Sequence, residues 1–191
     1  MARVTKVDSC RKAQKCDKCG SKIKVGEPYL WWKFRFGGKR TRCMDAGCKP
    51  RPSDLTQSEF LGTYGDLEQA WNEIDASGGI DDAVSAAKGI ADDIRTLGDD
   101  CQGKLDNMPE QLQYGDVGTL LQERVDGCKN LSSEIESAAD EAESNGSEEE
   151  LASEYDALKN KPEKLDKQQW IAERQKEIIE EMVSNVSWDV S

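Results

Sequence analysis

Beyond Ser53 the apolar residues of this chain fall on stripes with a helical period. Phe60, Tyr64, Leu67, Trp71 and Ile74 recur at alternating spacings of four and three, the separation that keeps side chains on one face of an α-helix. Ser53 or Thr56 can cap its start, with Thr56-Gln57-Ser58-Glu59 fitting a capping box, and Ser77-Gly78-Gly79 stops it. A second stripe runs through Val84, Ala87, Ala91, Ile94, Cys101, Leu105 and Met108. A third runs through Leu121, Val125, Cys128, Ile135, Ala139 and Ala142. The connection 109–116 between them is short enough to make antiparallel neighbours of the two, which predicts a helical hairpin over about 80–143. Cys101 and Cys128 then lie within about a turn of each other and read as two small buried hydrophobes, with a redox pair as the alternative.

Asn145-Gly146 breaks the pattern. Leu151, Tyr155 and Leu158 open another helix, Pro162 interrupts it, and Leu165, Trp170, Ile171, Ile178, Ile179, Met182 and Val183 form a last amphipathic segment. These C-terminal helices span about 148–183. Glu alternates with Lys/Arg along the last one, the pattern of an exposed helix that pairs by one face with a neighbour or partner. The final residues, including Trp188, are a loose tail or a docking peptide.

Before Ser53 the period changes to two. Tyr29-Leu-Trp-Trp-Lys-Phe-Arg-Phe36, Gly37-Gly38 and Lys39-Arg-Thr-Arg-Cys43 read as a β-hairpin with a two-glycine turn. Such a turn sets Phe36 against Lys39, Arg35 against Arg40, Phe34 against Thr41, Lys33 against Arg42 and Trp32 against Cys43. Leu30, Trp32, Phe34, Phe36 and Cys43 share one face, expected to be a small core. Trp31, Lys33, Arg35, Arg40 and Arg42 share the other, with Lys39 at the turn. Like charges directly opposite each other destabilise an antiparallel pair by a few tenths to about 1 kcal/mol, so this face calls for an anionic partner. Nucleic acid is the expected one: Lys33, Arg35, Lys39, Arg40 and Arg42 meet phosphates and Trp31 stacks on an unpaired base. A solvated surface, or neutralisation by the acidic part of the chain, is the plainer reading.

Cysteine spacing adds the chemistry. Cys16-Asp-Lys-Cys19 and Cys43-Met-Asp-Ala-Gly-Cys48 are two knuckle-like pairs, the arrangement that closes a tetrahedral structural zinc site with Cys16, Cys19, Cys43 and Cys48 as ligands. A redox dithiol at the first pair is the rival, but Cys16 and Cys19 sit among lysines and not between a strand and a helix. Cys10 is a spare thiol, expected to be semi-exposed, or an alternative ligand. Four thiolates fill the coordination sphere and leave no place for a reactive water. The chain has no histidine, which excludes histidine-dependent triads and metalloprotease helices. With no Gly-rich phosphate loop and no nucleophile elbow, a binding protein is expected and not an enzyme.

Charge separates two bodies. Residues 1–52 carry 15 Lys/Arg against 4 Asp/Glu, whereas 53–191 carry 11 against 34, within a net charge of -12. The expected domains are therefore a basic zinc module at 1–52, treble-clef-like or ribbon-like, and an acidic all-α region at 53–191. A basic body of that size buries little core unaided, so bound metal supplies folding free energy. From Asn130 to Leu158 there are ten Asp/Glu and no Lys/Arg. Such a run is a solvated face, or a surface that mimics nucleic acid or folds back on the basic hairpin. No apolar run spans a bilayer and Met1-Ala-Arg-Val-Thr-Lys6 lacks the apolar stretch of a secretory signal, so a cytoplasmic protein without membrane contact is expected.

Lys15-Cys16-Asp-Lys-Cys19-Gly-Ser-Lys-Ile23-Lys-Val-Gly26-Glu27-Pro-Tyr29, followed by aromatic strands and a second ligand pair, resembles the zinc finger of poly(ADP-ribose) polymerases. That resemblance implies recognition of broken or distorted DNA; Cys43 and Cys48 stand where that family has His-x-x-Cys. The layout of a four-cysteine module ending in Lys49-Pro-Arg-Pro-Ser-Asp-Leu-Thr-Gln-Ser58 and then acidic helices is similar to small tailed-phage proteins. It implies a phage gene expressed in bacterial host cytoplasm, with a host or phage protein as partner of the helices. The alternatives are an inhibitor whose acidic helices block a host nucleic-acid enzyme, and an assembly protein that forms homo-oligomers.

Overall fold

The computed structural model describes residues 1–158 and 166–188; Pro162 and Leu165 lie outside them. The fold is mainly α, with a small antiparallel β region near the N-terminus beside the four cysteines. Two compact units divide it, Met1–Asp66 and Leu67–Ser191. The packing boundary thus falls beyond residue 52, where the charge changes sign. Its cause is the 3₁₀ turn Pro52–Leu55, which belongs to the sheet. Trp32 Nε1 donates to the Asp54 carbonyl at 2.9 Å, Arg42 Nη2 to Asp54 Oδ1 at 2.7 Å, and Ser53 N to Asp66 Oδ1 at 3.0 Å.

The first unit holds β1 (Thr5–Val7), β2 (Gln14–Lys15), β3 (Lys22–Ile23), β4 (Tyr29–Lys33) and β5 (Lys39–Arg42). β2 and β3 form a small hairpin, and the other three an antiparallel sheet in the order β1-β4-β5. The β4–β5 hairpin exists as predicted, but its register does not. Leu30 pairs with Arg42, Trp31 with Thr41, Trp32 with Arg40 and Lys33 with Lys39. Residues 34–38 form the loop. Neither Gly37 nor Gly38 has a positive φ, so the tight primed turn that two glycines allow is absent. Because the offset from the expected pairing is odd, the two faces exchange members.

Tyr29, Trp31 and Cys43 consequently pack with Cys10, Cys16, Ile23 and Cys48. Trp32, expected beside the thiols, is 1% exposed on the opposite face, under the Pro52–Leu55 turn. Phe36, expected in the core, is 77% exposed at the loop tip.

The helix α1 (Glu59–Asn72) starts in the first unit and ends in the second. Its cap is Ser58, whose Oγ accepts from Leu61 N at 3.3 Å. Thr56 instead accepts from Ser58 N at 3.1 Å, because the preceding 3₁₀ turn already uses Ser53 and ends at Thr56.

The second unit contains α2 (Ile80–Asp106), the single turn α3 (Glu110–Gln113), α4 (Asp116–Asn145), α5 (Glu148–Ala157) and α6 (Lys167–Asn185). The predicted hairpin is α2 against α4. Lys88 meets Asp140 at 2.9 Å and Glu143 at 2.6 Å, Arg95 meets Glu136, and Gly98 abuts Cys128. Partner numbers fall as α2 numbers rise, so the helices are antiparallel. Val84, Ala87, Ala91, Ile94 and Cys101 of one stripe and Leu121, Val125, Cys128, Ile135, Ala139 and Ala142 of the other are buried.

α6 closes this core with Ile171, Ile178, Ile179 and Met182. It starts at a capping box of Asp166 and Gln169, and α5 starts at Ser147, whose Oγ accepts from Glu150 N. Trp71 Nε1 donates to the Val183 carbonyl at 3.1 Å, and the Trp188 ring lies 6.4 Å from that of Trp71. Trp188 is therefore packed and not part of a loose tail. No helix among the described residues is long and apolar enough to cross a membrane.

Candidate metal centre and basic hairpin

Cys16 and Cys19 sit in the turn of the β2–β3 hairpin. Cys16 N donates to the Ser21 carbonyl and Gly20 N to the Cys16 carbonyl, at 2.9 and 3.0 Å. Gly20 has a φ of 75°, which a side chain would strain. Cys43 follows β5 directly, and Cys48 closes the 3₁₀ turn Ala46–Cys48, where its N–H donates to the Asp45 carbonyl at 2.8 Å. The two turns are tied together by Asp17. Its N–H donates to the Thr41 carbonyl at 2.8 Å, and its carboxylate accepts from Thr41 N at 2.6 Å.

The four Sγ atoms all lie within 4.8 Å of one another. Cys19 Sγ and Cys43 Sγ are 3.7 Å apart. That is far beyond a disulfide bond. Bonds of about 2.3 Å at tetrahedral angles put neighbouring sulfurs about 3.8 Å apart, so the Cys19–Cys43 separation matches two thiolates on one metal ion and the other two sulfurs lie close enough to share it. The residues present fit a metal.

The electrostatics of the cage are uneven. Burial opposes the Cys16 thiolate, but backbone N–H groups of Cys19, Cys43 and Lys18 outweigh it and bring the thiol down to about 6. Cys19 is lowered by the Ser21 side chain and backbone. Burial raises Cys43. A cation shared by all four would favour the charged form of each. Cys10 is outside the cage. It is 1% exposed rather than semi-exposed, and its thiol donates to the Lys12 carbonyl at 2.6 Å; it is a core residue under the cluster.

The expected basic face is divided by the register. Trp31, Lys33 and Lys39 lie on one side of the β4–β5 pair, and Arg40 and Arg42 on the other. Lys39 Nζ stands 5.0 Å from the Trp31 ring centroid and 5.3 Å from that of Tyr29, so a cation already occupies the indole face assigned to a base. Arg42 is 9% exposed, ion-paired to Asp54 at 2.7 Å, with its guanidinium 5.6 Å from the Trp32 ring. Lys33, Arg35, Lys39 and Arg40 remain exposed.

Two residues that tie the β4–β5 hairpin to its neighbours, Asp17 and Asp54, carry no local signal in the sequence. Asp17 is the middle of a Cys-x-x-Cys turn, and Asp54 stands before a helix, where a carboxylate reads as a cap. Comparison of the chain with protein-family profiles, curated proteins and solved structures finds no match.

Proposed function

We infer that the first unit is a zinc-stabilised module that binds nucleic acid, joined to an acidic helical body that docks or regulates a protein partner, with no catalytic step of its own. The observation that carries this reading is a four-thiol cage in a unit with 15 Lys/Arg and only seven Asp/Glu through Asp66. Zinc is the metal favoured by an all-thiolate tetrahedral site. A site filled by four protein ligands has no open position for substrate, which supports a structural metal.

Exposed Lys33, Arg35, Lys39 and Arg40 support phosphate contact. The acidic helices support the docking role less through mimicry than through surplus charge. Four of the ten carboxylates between Asn130 and Leu158 are held in ion pairs, Glu136 with Arg95, Asp140 and Glu143 with Lys88, and Asp156 with Lys167. Glu148, Glu149 and Glu150 instead open α5, where they complement the helix dipole.

The test is metal content of the purified chain together with binding of single-stranded and duplex DNA and RNA across a salt series. One zinc per chain, and an affinity that falls as salt rises, are expected. No binding at low salt, or a chain purified without metal and equally stable, removes the reading.

A further inference from the structure

The register splits the basic residues of the hairpin, and Lys33 and Arg35 join Arg3 at the loop end of the β4–β5 pair. A hollow of about 380 Å³ lies beside the 34–38 loop, lined by Arg3, Lys33, Arg35, Phe34, Thr56 and Gln57 among others. Three cations face it and no carboxylate lines it. Among the described residues none of the three has an ion-pair partner. Three uncompensated positive charges around one concavity repel one another, and an anion seated there removes that repulsion.

One hydrogen bond ties the loop beside the hollow to Gln57. Gln57 Nε2 donates to the Phe36 carbonyl at 3.1 Å, and Gly37 is close enough to Phe34 that a Cβ there would stand 3.5 Å from Phe34 Cβ. On this loop Phe36 is 77% exposed, with the Arg35 guanidinium 5.3 Å from its ring centroid. One side of the ring is thus backed by a cation while the ring as a whole stays open to solvent. An exposed aromatic next to a cationic hollow has the two elements of single-strand recognition, a platform for a base and a seat for its phosphate. Duplex DNA offers phosphates but hides its base faces within the stack.

We propose that the tip of the β4–β5 hairpin is a site for single-stranded nucleic acid, in which Arg3, Lys33 and Arg35 hold a backbone phosphate and Phe36 stacks on an adjacent unpaired base. This rests on the nucleic-acid reading above and moves its contact from the strands to the loop. Trp31, packed against the cysteine cluster and covered by Lys39, has no part in it.

The experiment measures binding of a fluorescent oligothymidine and of a labelled duplex by the full-length, metal-loaded protein and by three variants, Phe36→Ala, Arg35→Ala and Arg40→Ala. Phe36 and Arg35 are exposed loop residues, so their removal leaves the fold intact, and metal content checks this for each variant. Preference for the single strand is expected in the unmodified protein. F36A should lose about tenfold in single-strand affinity with the salt dependence unchanged. R35A should reduce the slope of log affinity against log salt by about 0.7, one phosphate contact. R40A, on the strand and away from the hollow, reads the strand contacts and should lose less single-strand affinity than either loop variant. Binding of the unmodified protein that survives both F36A and R35A but fails in R40A overturns the tip site and leaves the nucleic-acid reading standing. Equal affinity for duplex and single strand overturns the stacking role of Phe36. Absence of binding by the unmodified protein overturns both readings together.

Discussion

Arg42 is a charged side chain doing the work of a core residue. Its guanidinium lies over the Trp32 ring and donates to Asp54, while Asp54 also accepts from Arg51 N at 3.1 Å and offers its carbonyl to Trp32 Nε1. One residue therefore anchors the turn 52–55 to the sheet by two bonds and closes the turn itself by a third. Exposed ion pairs contribute about 0–1 kcal/mol, and removing one partner of a fully buried pair costs about 3–5 kcal/mol. Arg42 and Asp54 have side chains 11% and 28% exposed, between those limits. Arg42→Ala should lower stability by about 2 kcal/mol, and a double-mutant cycle with Asp54→Ala should show a coupling of at least about 0.5 kcal/mol. Additive losses would mean that the pair is incidental. The four clustered thiols, by contrast, are legible from spacing alone, because a site able to hold a metal draws its donors from short cysteine pairs. Asp17 and Asp54 are not, since each works through a strand residue remote in sequence, Thr41 and Arg42.

At the level of elements, the long helices follow their stripes almost residue for residue, whereas the hairpin does not follow its glycines. A helical stripe is set by local geometry and confirmed at many positions. Strand register is one choice, made here by tertiary anchors: Asp17 fixes Thr41, and Asp54 fixes Trp32 and Arg42. The helical hairpin offers a direct check of close packing. A Cβ added at Gly98 would meet Cys128 Cβ at 2.9 Å, while one at Gly89 would meet nothing within 4 Å. Gly89→Ala should stabilise α2 by about 0.5–1 kcal/mol through helix propensity. Gly98→Ala should destabilise by about 1–2 kcal/mol, since overpacking exceeds that gain. Urea unfolding monitored by circular dichroism reads both, and two changes of the same sign would contradict the packing of α2 on α4.

On the scale of the whole molecule, the two units draw stability from different sources. The second buries continuous stripes along α2, α4 and α6. The first has short strands and a core built around thiols, so a metal held by those thiols would supply folding free energy that so small a core lacks. Stripping metal from the intact chain with a chelator should therefore unfold one unit and spare the other. Helical dichroism should persist, because α2, α4 and α6 lie wholly beyond Asp66. Thiol alkylation followed by mass analysis of fragments locates the change. Cys10, Cys16, Cys19, Cys43 and Cys48 should become reactive, while Cys101 and Cys128 stay protected. Burial raises both of the latter thiols, Cys128 to about 11. Cys128 thus keeps its proton in the native helices at a pH where the unfolded thiol, with its ordinary value of 9.0, has lost it. The stability this lends is present in full below pH 9 and fades as pH rises through about 11. At neutral pH, then, alkylation of Cys128 after chelation reports unfolding of the helices and not ionisation of a native thiol. If Cys101 and Cys128 become reactive at the same chelator concentration as Cys16 and Cys19, with the helical signal falling in step, the molecule folds as one cooperative body and the metal supports all of it.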